Sequence, residues 1–305
     1  MSAPAIDAAP AAPASADVAA TVRQLEIRSR HLVKDILAGE YSSVFKGRGV
    51  EFSDVREYQH GDDVRTIDWR VTARMDAAYV RRYVEERELT VLFVVDQSAS
   101  AAFGSRLRSK AQLGTELCAV LAMTAVRNND RVGAAIFTDR VEHFVSPNKG
   151  KRHVLRVIRE LLAFHPTHAG TDLGAALEVV NRLLRRRAVL FIVSDWLTSG
   201  YDAMLERTAR RHDTIAVQLV DPRERELPDV GLITIRDAES GEWRVIDSGD
   251  PMVRQELAQQ AAQFDAALAQ RLRRSGVDLI RLHTDRGYVA PLLAFFRRRE
   301  RLRRH

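Results

Sequence analysis

The sequence predicts an α/β protein with a doubly wound, mostly parallel six-stranded sheet and a small β-rich subdomain on its N-terminal side. Two continuous apolar runs, at 91–95 and 188–193, are typical of strands that are buried on both faces of a parallel sheet. Segments with apolar residues at helical spacing alternate with further short apolar runs along the chain. This alternation indicates a parallel sheet with helices on both faces.

The N-terminal region divides into a tail and a small subdomain. Residues 1–20 are rich in Ala, Pro and Ser and have little apolar surface to bury, so they are predicted to be a disordered tail. Apolar residues then recur at helical spacing between 22 and 37, which predicts a helix. Short apolar and charged stretches alternate up to residue 89, so 21–89 is predicted to contain this helix and a β-rich subdomain.

Residues 90–305 are predicted to form the main domain. Its predicted strands cover 90–95, 132–137, 141–145, 188–193, 214–220 and 277–282. Its predicted helices cover 105–128, 151–164, 172–187, 201–212, 252–274 and 289–303. In the first of these helices Leu107, Leu113 and Leu117 lie at helical spacing.

The segment 222–249 is too long for a plain connection between a strand and a helix. It contains two short apolar segments, 232–235 and 243–246, on either side of Glu239-Ser240-Gly241. This pattern predicts an inserted β-hairpin. The chain then closes with a basic C-terminal helix.

The composition is that of a globular protein with no membrane span. No stretch approaches the roughly 18 apolar residues that a membrane helix needs, and the N-terminus lacks the pattern of a secretion signal. The single cysteine, Cys118, fits a reducing compartment, so we expect the protein in the cytoplasm. No glycine-rich loop has the Walker spacing, so we expect no intrinsic ATP hydrolysis.

Three loops carry oxygen-bearing side chains at the predicted ends of strands. Asp96, Ser98 and Ser100 follow the run at 91–95, and Asp195 follows the run at 188–193. Thr171 lies in a third loop, before a predicted helix. Hydroxyl and carboxylate oxygens are hard ligands that suit Mg²⁺. The same residue types are favoured helix N-caps, so helix capping is the structural alternative for each of them.

In this order the three loops resemble the metal-ion-dependent adhesion site of von Willebrand factor A domains. The resemblance implies that Ser98, Ser100 and Thr171 contact the metal, while Asp96 and Asp195 hold it mainly through waters. It also implies the strand order 3-2-1-4-5-6 for the main sheet, which places the site between the first and fourth strands. The implied metal is Mg²⁺, with Mn²⁺ or Ca²⁺ as the other candidates.

The segment before the first of these loops narrows the resemblance. Residues 47–52 and 56–69 resemble the bacterial family called domain of unknown function 58, whose members are typically encoded beside MoxR-type AAA+ ATPases. The resemblance implies a MoxR-type AAA+ ATPase as the partner. Other von Willebrand A-domain proteins encoded nearby are further candidate partners.

Two other features are candidate partner contacts. Trp69 follows an acidic and basic cluster that we interpret as a salt-bridge network, and it could anchor a partner or fill the core. The net charge of +6 from 47 basic and 41 acidic residues is concentrated in the C-terminal run that begins with Arg297, Arg298 and Arg299. Such a run could be a solvated helix end, dock an acidic partner, or bind nucleic acid.

The leading functional hypothesis is a non-enzymatic, metal-dependent adaptor. An adhesion-type site leaves a coordination position open, and a carboxylate of the partner would fill it. The first alternative is a Mg²⁺-dependent phosphoester hydrolase with Asp195 or Asp172 as nucleophile or base, although Ser98 stands where haloacid-dehalogenase phosphatases have their second Asp. The second alternative is nucleic-acid binding through the arginine-rich C-terminus, which would depend steeply on salt.

Overall fold

A computed structural model describes most of the 305-residue chain. The described residues are 15–32, 41, 44–45, 51–75, 77–84, 88–239 and 241–304. Four elements precede the main domain: α1 (Ser15–Leu32), β1 (Glu51–Glu57), α2 (Trp69–Thr72) and β2 (Tyr79–Val84). β1 and β2 pair as an antiparallel ribbon.

The main domain alternates strands and helices. Its strands are β3 (Thr90–Asp96), β4 (Arg131–Phe137), β5 (Val141–Asn148), β6 (Val189–Ser194), β7 (Asp213–Val220), β8 (Leu232–Arg236), β9 (Trp243–Asp247) and β10 (Asp278–His283). Its helices are α3 (Lys110–Arg127), α4 (Lys151–Ala163), α5 (Leu173–Leu183), α6 (Asp202–Arg211), α7 (Pro251–Arg274) and α8 (Val289–Arg304).

The central sheet has six strands in the order β10-β7-β6-β3-β4-β5. All neighbours pair in parallel except β4 and β5, which are antiparallel. The predicted fold class and the strand order that the resemblance implied are therefore confirmed. β5 tolerates Pro147 because it is an edge strand, where a missing N–H disrupts no central ladder.

Both faces of the sheet are covered by helices. Alternate residues of β3 belong to different cores: Val91, Phe93 and Val95 point to one, and Leu92 and Val94 point to the other. The first core includes side chains from α1, α3, α4 and α8, and the second includes side chains from α5, α6 and α7. The continuous apolar runs follow directly from this burial on two sides.

Helix α1 begins inside the segment that was predicted to be a tail. Residues 15–20 are helical, whereas 1–14 and the predicted helical residues 33–37 lie outside the described part of the chain. The physical reason is that Val18 continues the helical spacing of Val22 and Leu25, and all three are buried. Packing of this face against α3 and α4 accounts for a helix in an Ala-rich segment.

Helix α3 begins five residues later than predicted, because Ser109 and Gln112 form a capping box at its start. The prediction that Leu107 lies within this helix is wrong, since Leu107 precedes the helix and is 76% exposed. Ser105, the predicted first residue, instead donates its hydroxyl and its backbone N–H to the carboxylate of Asp221. Within the described residues, no helix is both long and apolar enough to cross a membrane.

The insertion at 222–249 contains β8 and β9, which pair as an antiparallel hairpin. Most of their side chains are exposed, so the hairpin projects from the domain rather than packing into it. Its base is closed by Ser248, whose backbone N–H and hydroxyl both donate to the carbonyl of Gly231. Arg254 of α7 donates to the carbonyl of Ser248 and fixes the base to the domain.

Candidate functional site

The candidate site lies at the carboxyl ends of β3 and β6, where the connections diverge. The chain leaves β3 through α3 on one face of the sheet and leaves β6 through α6 on the other face. A crevice forms outside the strand ends at such a switch point, and open α/β sheets bind ligands there. The structure thus places the Asp96 and Asp195 loops side by side.

Asp96 is the buried anchor of the site. Its Oδ1 accepts a hydrogen bond of 2.9 Å from the backbone N–H of Ser98, and its Oδ2 accepts one of 2.7 Å from the Ser194 hydroxyl. Burial and the nearby carboxylate of Asp195 raise the pKa of Asp96 to about 6, although these hydrogen bonds oppose the shift. Asp96 thus connects the two strand ends but is poorly stabilised as an anion.

Ser98, Ser100 and Asp195 form one contact chain. The hydroxyl oxygens of Ser98 and Ser100 lie 3.2 Å apart, and Ser100 Oγ donates to Asp195 Oδ2 at 2.9 Å. The second oxygen of Asp195 accepts from the backbone N–H of Leu197 at 3.1 Å. Three of the residues predicted from sequence therefore meet through their oxygens at one point.

The residue after Asp195 adopts an unusual backbone conformation. Trp196 has a φ of +65°, a region that bulky residues rarely occupy. Its ring is fully buried, its Nε1 donates to the carbonyl of Val217 at 3.2 Å, and its backbone N–H donates to Ser194 Oγ. These contacts hold the strained turn in place, and the turn aims the Asp195 carboxylate into the crevice.

Lys110 is a member of the site that the sequence analysis missed. Its ammonium group donates to Asp195 Oδ2 at 2.7 Å and to Glu224 Oε1 at 2.6 Å, and the residue is only 1% exposed. Burial lowers the pKa of Lys110, but the two carboxylates outweigh burial and raise it above its ordinary value. The one available signal was a lysine at the first position of a helix whose other residues are mostly apolar.

Thr171 lies in the loop that borders both other loops. The backbone N–H of Ala99 donates to the carbonyl of Ala169, and the hydroxyl of Thr198 donates to the carbonyl of Thr171. The Thr171 hydroxyl itself donates to Glu239 Oε1 at 2.6 Å. Glu239 lies at the tip of the β8–β9 hairpin, so the hairpin reaches back to the site, which the sequence analysis did not foresee.

Glu142 supports the loop that precedes Thr171. It accepts hydrogen bonds from the Thr138 hydroxyl, from the backbone N–H and hydroxyl of Thr167, and from the backbone N–H of His168. Although burial raises its pKa, these bonds dominate and lower the pKa of Glu142 to about 2. The carboxylate is therefore ionised at neutral pH and holds the loop in place.

The donor set fits a hard cation through its hydroxyls rather than through clustered carboxylates. In the part of the chain that the structure describes, no group of three or more His, Cys, Asp or Glu side chains could hold a metal. Ser98 Oγ, Ser100 Oγ and Asp195 Oδ2 nevertheless form a chain of hard oxygen donors of the kind Mg²⁺ prefers. The two hydroxyls suit Mg²⁺, whereas at Asp195 Oδ2 the cation would compete with the Lys110 ammonium group for the same oxygen.

The predicted partner contacts fall into two groups. Trp69 is 68% exposed on α2, so the expectation that it might fill the core is wrong and its ring remains open to a partner. Arg297 and Arg298 are exposed on α8, and Arg298 lies 4.0 Å from Asp278. Arg299, in contrast, is 13% exposed and forms ion pairs with Asp213 and Asp278.

These ion pairs hold the guanidinium group of Arg299 inside the domain, and the contact of Arg299 with a partner stays a prediction. The guanidinium group also lies 5.2 Å from the centroid of the Phe45 ring. We expect Arg299→Ala to lower the free energy of unfolding by about 2 kcal/mol, since Asp213 would lose its cation. Urea unfolding measures this change. Arg298→Ala is the matched control, and an equal effect of both substitutions would contradict the assignment.

The sequence relatives of this chain are uncharacterized proteins. A family model described as "Protein of unknown function DUF58" matches residues 54–267. Uncharacterized proteins of Mycobacterium tuberculosis and Mycobacterium bovis are each 35% identical to this chain over 287 residues, which is 93% of this chain and 90% of theirs. An uncharacterized protein of Mycobacterium avium is 32% identical over 159 residues, which is 51% of this chain and 94% of its own.

The similar solved structures have low sequence identity to this chain. The conserved hypothetical protein BatB from Bacteroides thetaiotaomicron has a TM-score of 0.45 and 14% identity, and covers 70% of this chain and 99% of its own. The SpRpn10 VWA domain has a TM-score of 0.35 and 12% identity, and covers 68% of this chain and 94% of its own. At this level of similarity neither structure bears on function.

Proposed function

The chain belongs to the family described as Protein of unknown function DUF58, and from that premise we propose that it is a metal-dependent protein-binding adaptor. The observation that supports this proposal best is the chain of contacts between Ser98, Ser100 and Asp195 at the switch point of the sheet. Two neutral hydroxyls and one carboxylate would leave a bound Mg²⁺ with residual positive charge. A carboxylate from a partner would complete its coordination.

A binding role accounts for the surroundings of the carboxylates better than hydrolysis does. The hydrolase alternative needs Asp195 or Asp172 as nucleophile or base. Asp195 accepts from Ser100, Lys110 and Leu197, and Asp172 Oδ1 caps α5 by accepting from the backbone N–H of Ala175. Because both carboxylates already accept several hydrogen bonds or cap a helix, they are better suited to maintain the geometry of a binding site than to act as nucleophile or base.

The partner that we propose is a MoxR-type AAA+ ATPase, and this choice rests on the family resemblance of residues 47–52 and 56–69. Other von Willebrand A-domain proteins encoded nearby are the second class of partner in the proposal. A cytoplasmic location is part of the same proposal, because the single cysteine, Cys118, is buried and unpaired, as is usual in a reducing compartment.

The test of this proposal compares metal binding and partner capture. Titration calorimetry with Mg²⁺ on the full chain should detect binding to the wild type, and Ser98→Ala/Ser100→Ala should weaken it by about tenfold or more, the scale of losing ligand-shell groups. A pull-down from the source cell's lysate should then retain an AAA+ ATPase only with wild type and Mg²⁺, and lose it with EDTA.

Ser199→Ala is the matched control, because Ser199 is an exposed serine near the same loops and is not among the proposed ligands. It should bind Mg²⁺ and partner like the wild type. If wild type and the double variant bind Mg²⁺ equally, the adhesion-type site is wrong. If Mg²⁺ binds but the captured proteins are the same with EDTA, the site is not the docking surface.

A further inference from the structure

The tip of the β8–β9 hairpin contacts the candidate site directly. Glu239 accepts a hydrogen bond of 2.6 Å from Thr171, a residue 68 positions earlier in the chain. Thr171 is one of the three residues that the resemblance to adhesion-type sites implies would contact the metal. A side-chain carboxylate of this chain therefore already lies against the hydroxyl that a partner's carboxylate would approach.

The tip is folded so that it presents Glu239. The backbone N–H of Asp237 donates to the carbonyl of Glu242 at 2.8 Å, and the N–H of Gly241 donates to the carbonyl of Asp237 at 3.0 Å. The N–H of Glu239 donates to the Asp237 carboxylate, and Gly241 has a φ of +75°, which a residue with a side chain adopts at a cost. These contacts place Glu239 at the tip of the hairpin.

The strands that carry the tip are otherwise weakly held. Exposed apolar side chains cover the hairpin, namely Leu232, Ile235, Trp243 and Val245. A two-stranded ribbon without a packed face is at best marginally stable in position. The contact with Thr171 is therefore a main restraint on where the tip lies.

The base of the insertion is fixed to the same site. Glu224 lies in a short turn, Pro222–Glu224, and its carboxylate shares the ammonium group of Lys110 with Asp195. Asp221 caps this turn. The insertion consequently starts beside Asp195, is fixed at Ser248, and contacts Thr171 at its tip through Glu239. The insertion is therefore held at its base and at its tip, with exposed strands between them.

We propose that Glu239 is an internal ligand of the site, which occupies the position of the partner's acidic residue until the hairpin swings away. This inference rests on the proposed function and adds its regulation. The chemistry matches, since the open position of an adhesion-type site takes a carboxylate and Glu239 supplies one. An internal ligand competes at a high effective concentration, so a partner must offer a better carboxylate or hold the hairpin elsewhere.

The first arm of the test measures hairpin position in the full chain. Spin labels attached at Thr234→Cys and Ser199→Cys report the distance between the hairpin and the site loops. The native Cys118 should resist labelling, because burial raises the pKa of its thiol. We expect Glu239→Gln and Thr171→Val each to broaden and lengthen this distance distribution. Glu242→Gln, an exposed carboxylate of the same hairpin, should leave it unchanged.

The second arm measures occupancy with a defined probe, a fluorescein-labelled peptide of residues 232–247. In Mg²⁺ this peptide should bind Glu239→Gln at least about tenfold more tightly than wild type, because the internal carboxylate no longer competes. A peptide in which its own Glu239 is replaced by Gln should not bind. Equal peptide affinity for wild type and Glu239→Gln, or unchanged label distances in that variant, would overturn the inference.

The two proposals fail in different ways. Mg²⁺ binding to wild type together with no effect of Glu239→Gln would reject the internal ligand and leave the adaptor proposal standing. An absence of Mg²⁺ binding to wild type would reject the adaptor site and, with it, the role of Glu239 as a competing ligand. The spin-label distances in EDTA would then still report whether Thr171 holds the hairpin.

Discussion

Replacing Lys110 by Met is expected to lower the free energy of unfolding by about 3–5 kcal/mol at pH 7, the range for breaking a buried ion pair. Met keeps the length and apolar stem of lysine but removes the ammonium group between Asp195 and Glu224. The carboxylate of Asp195 would stay buried without its cation. Because the pKa of Lys110 is raised, its stabilisation is complete at neutral pH and disappears only as pH rises through that raised value.

Urea unfolding in EDTA and in Mg²⁺ checks this prediction. Lys151→Met is the matched control, since Lys151 is a half-exposed lysine paired with Glu26 and should change stability by less than about 1 kcal/mol. Mg²⁺ should stabilise Lys110→Met more than wild type, because the metal would face an Asp195 carboxylate that has no competing ammonium. A Lys110→Met protein as stable as wild type in EDTA would show that the ion pair contributes little.

Replacing Asp96 by Asn is expected to have the opposite effect on the metal-free protein. In the folded protein the pKa of Asp96 is raised to about 6 from an ordinary value of 3.8. As pH rises from about 4 to 6 the unfolded chain loses this proton first, so the folded state loses stability. Two pKa units correspond to about 3 kcal/mol, and Asp96→Asn should regain up to that amount at pH 7 in EDTA.

The amide can satisfy the same neighbours. Its oxygen can accept from the backbone N–H of Ser98, and its NH₂ group can donate to Ser194 Oγ, where the carboxylate accepts a hydrogen bond in the wild type. The variant should, however, gain no stability from Mg²⁺, because the site loses one of its negative charges. In the proposed function, the destabilisation from the buried Asp96 carboxylate would accompany a site that binds a cation.

The measurement is the difference in unfolding free energy between wild type and Asp96→Asn at pH 4 to 7. The difference isolates Asp96 from His212, whose pKa is lowered to about 4 by burial and by nearby arginines. His212 makes stability rise with pH in the same window, because the unfolded chain binds the proton more tightly. A difference that does not change with pH, or a variant destabilised at pH 7 in EDTA, would contradict the prediction.

The site could be located from sequence because its main residues follow buried strands. The apolar runs that became β3 and β6 are local signals, and Asp96 and Asp195 stand at their carboxyl ends. Once the strand order is known, these ends must lie together. The positions of Ser98 and Ser100 follow from the same loop, two and four residues after Asp96.

Features that depend on contacts between distant elements could not be predicted from the sequence. The start of α3 depends on the capping box of Ser109, which lies four residues after the predicted first residue, Ser105. Arg299 belongs to a basic run in the sequence, and its ion pairs with Asp213 and Asp278 are visible only in the structure. In both cases the residue type occurs both in contact with solvent and in contact with other parts of the protein. Composition alone does not distinguish the two, because the choice is made by burial.

By itself, then, the sequence determined the sheet, its loops and the oxygen donors at the strand ends, since strand and helix periodicity are properties of neighbouring residues. Only the tertiary structure decided that Lys110 neutralises Asp195 across 85 residues and that Glu239 reaches Thr171 across 68. Charge pairing and hydrogen bonding depend on how close two groups lie in space and on how deeply they are buried. Neither quantity can be read from the number of residues between them in the sequence.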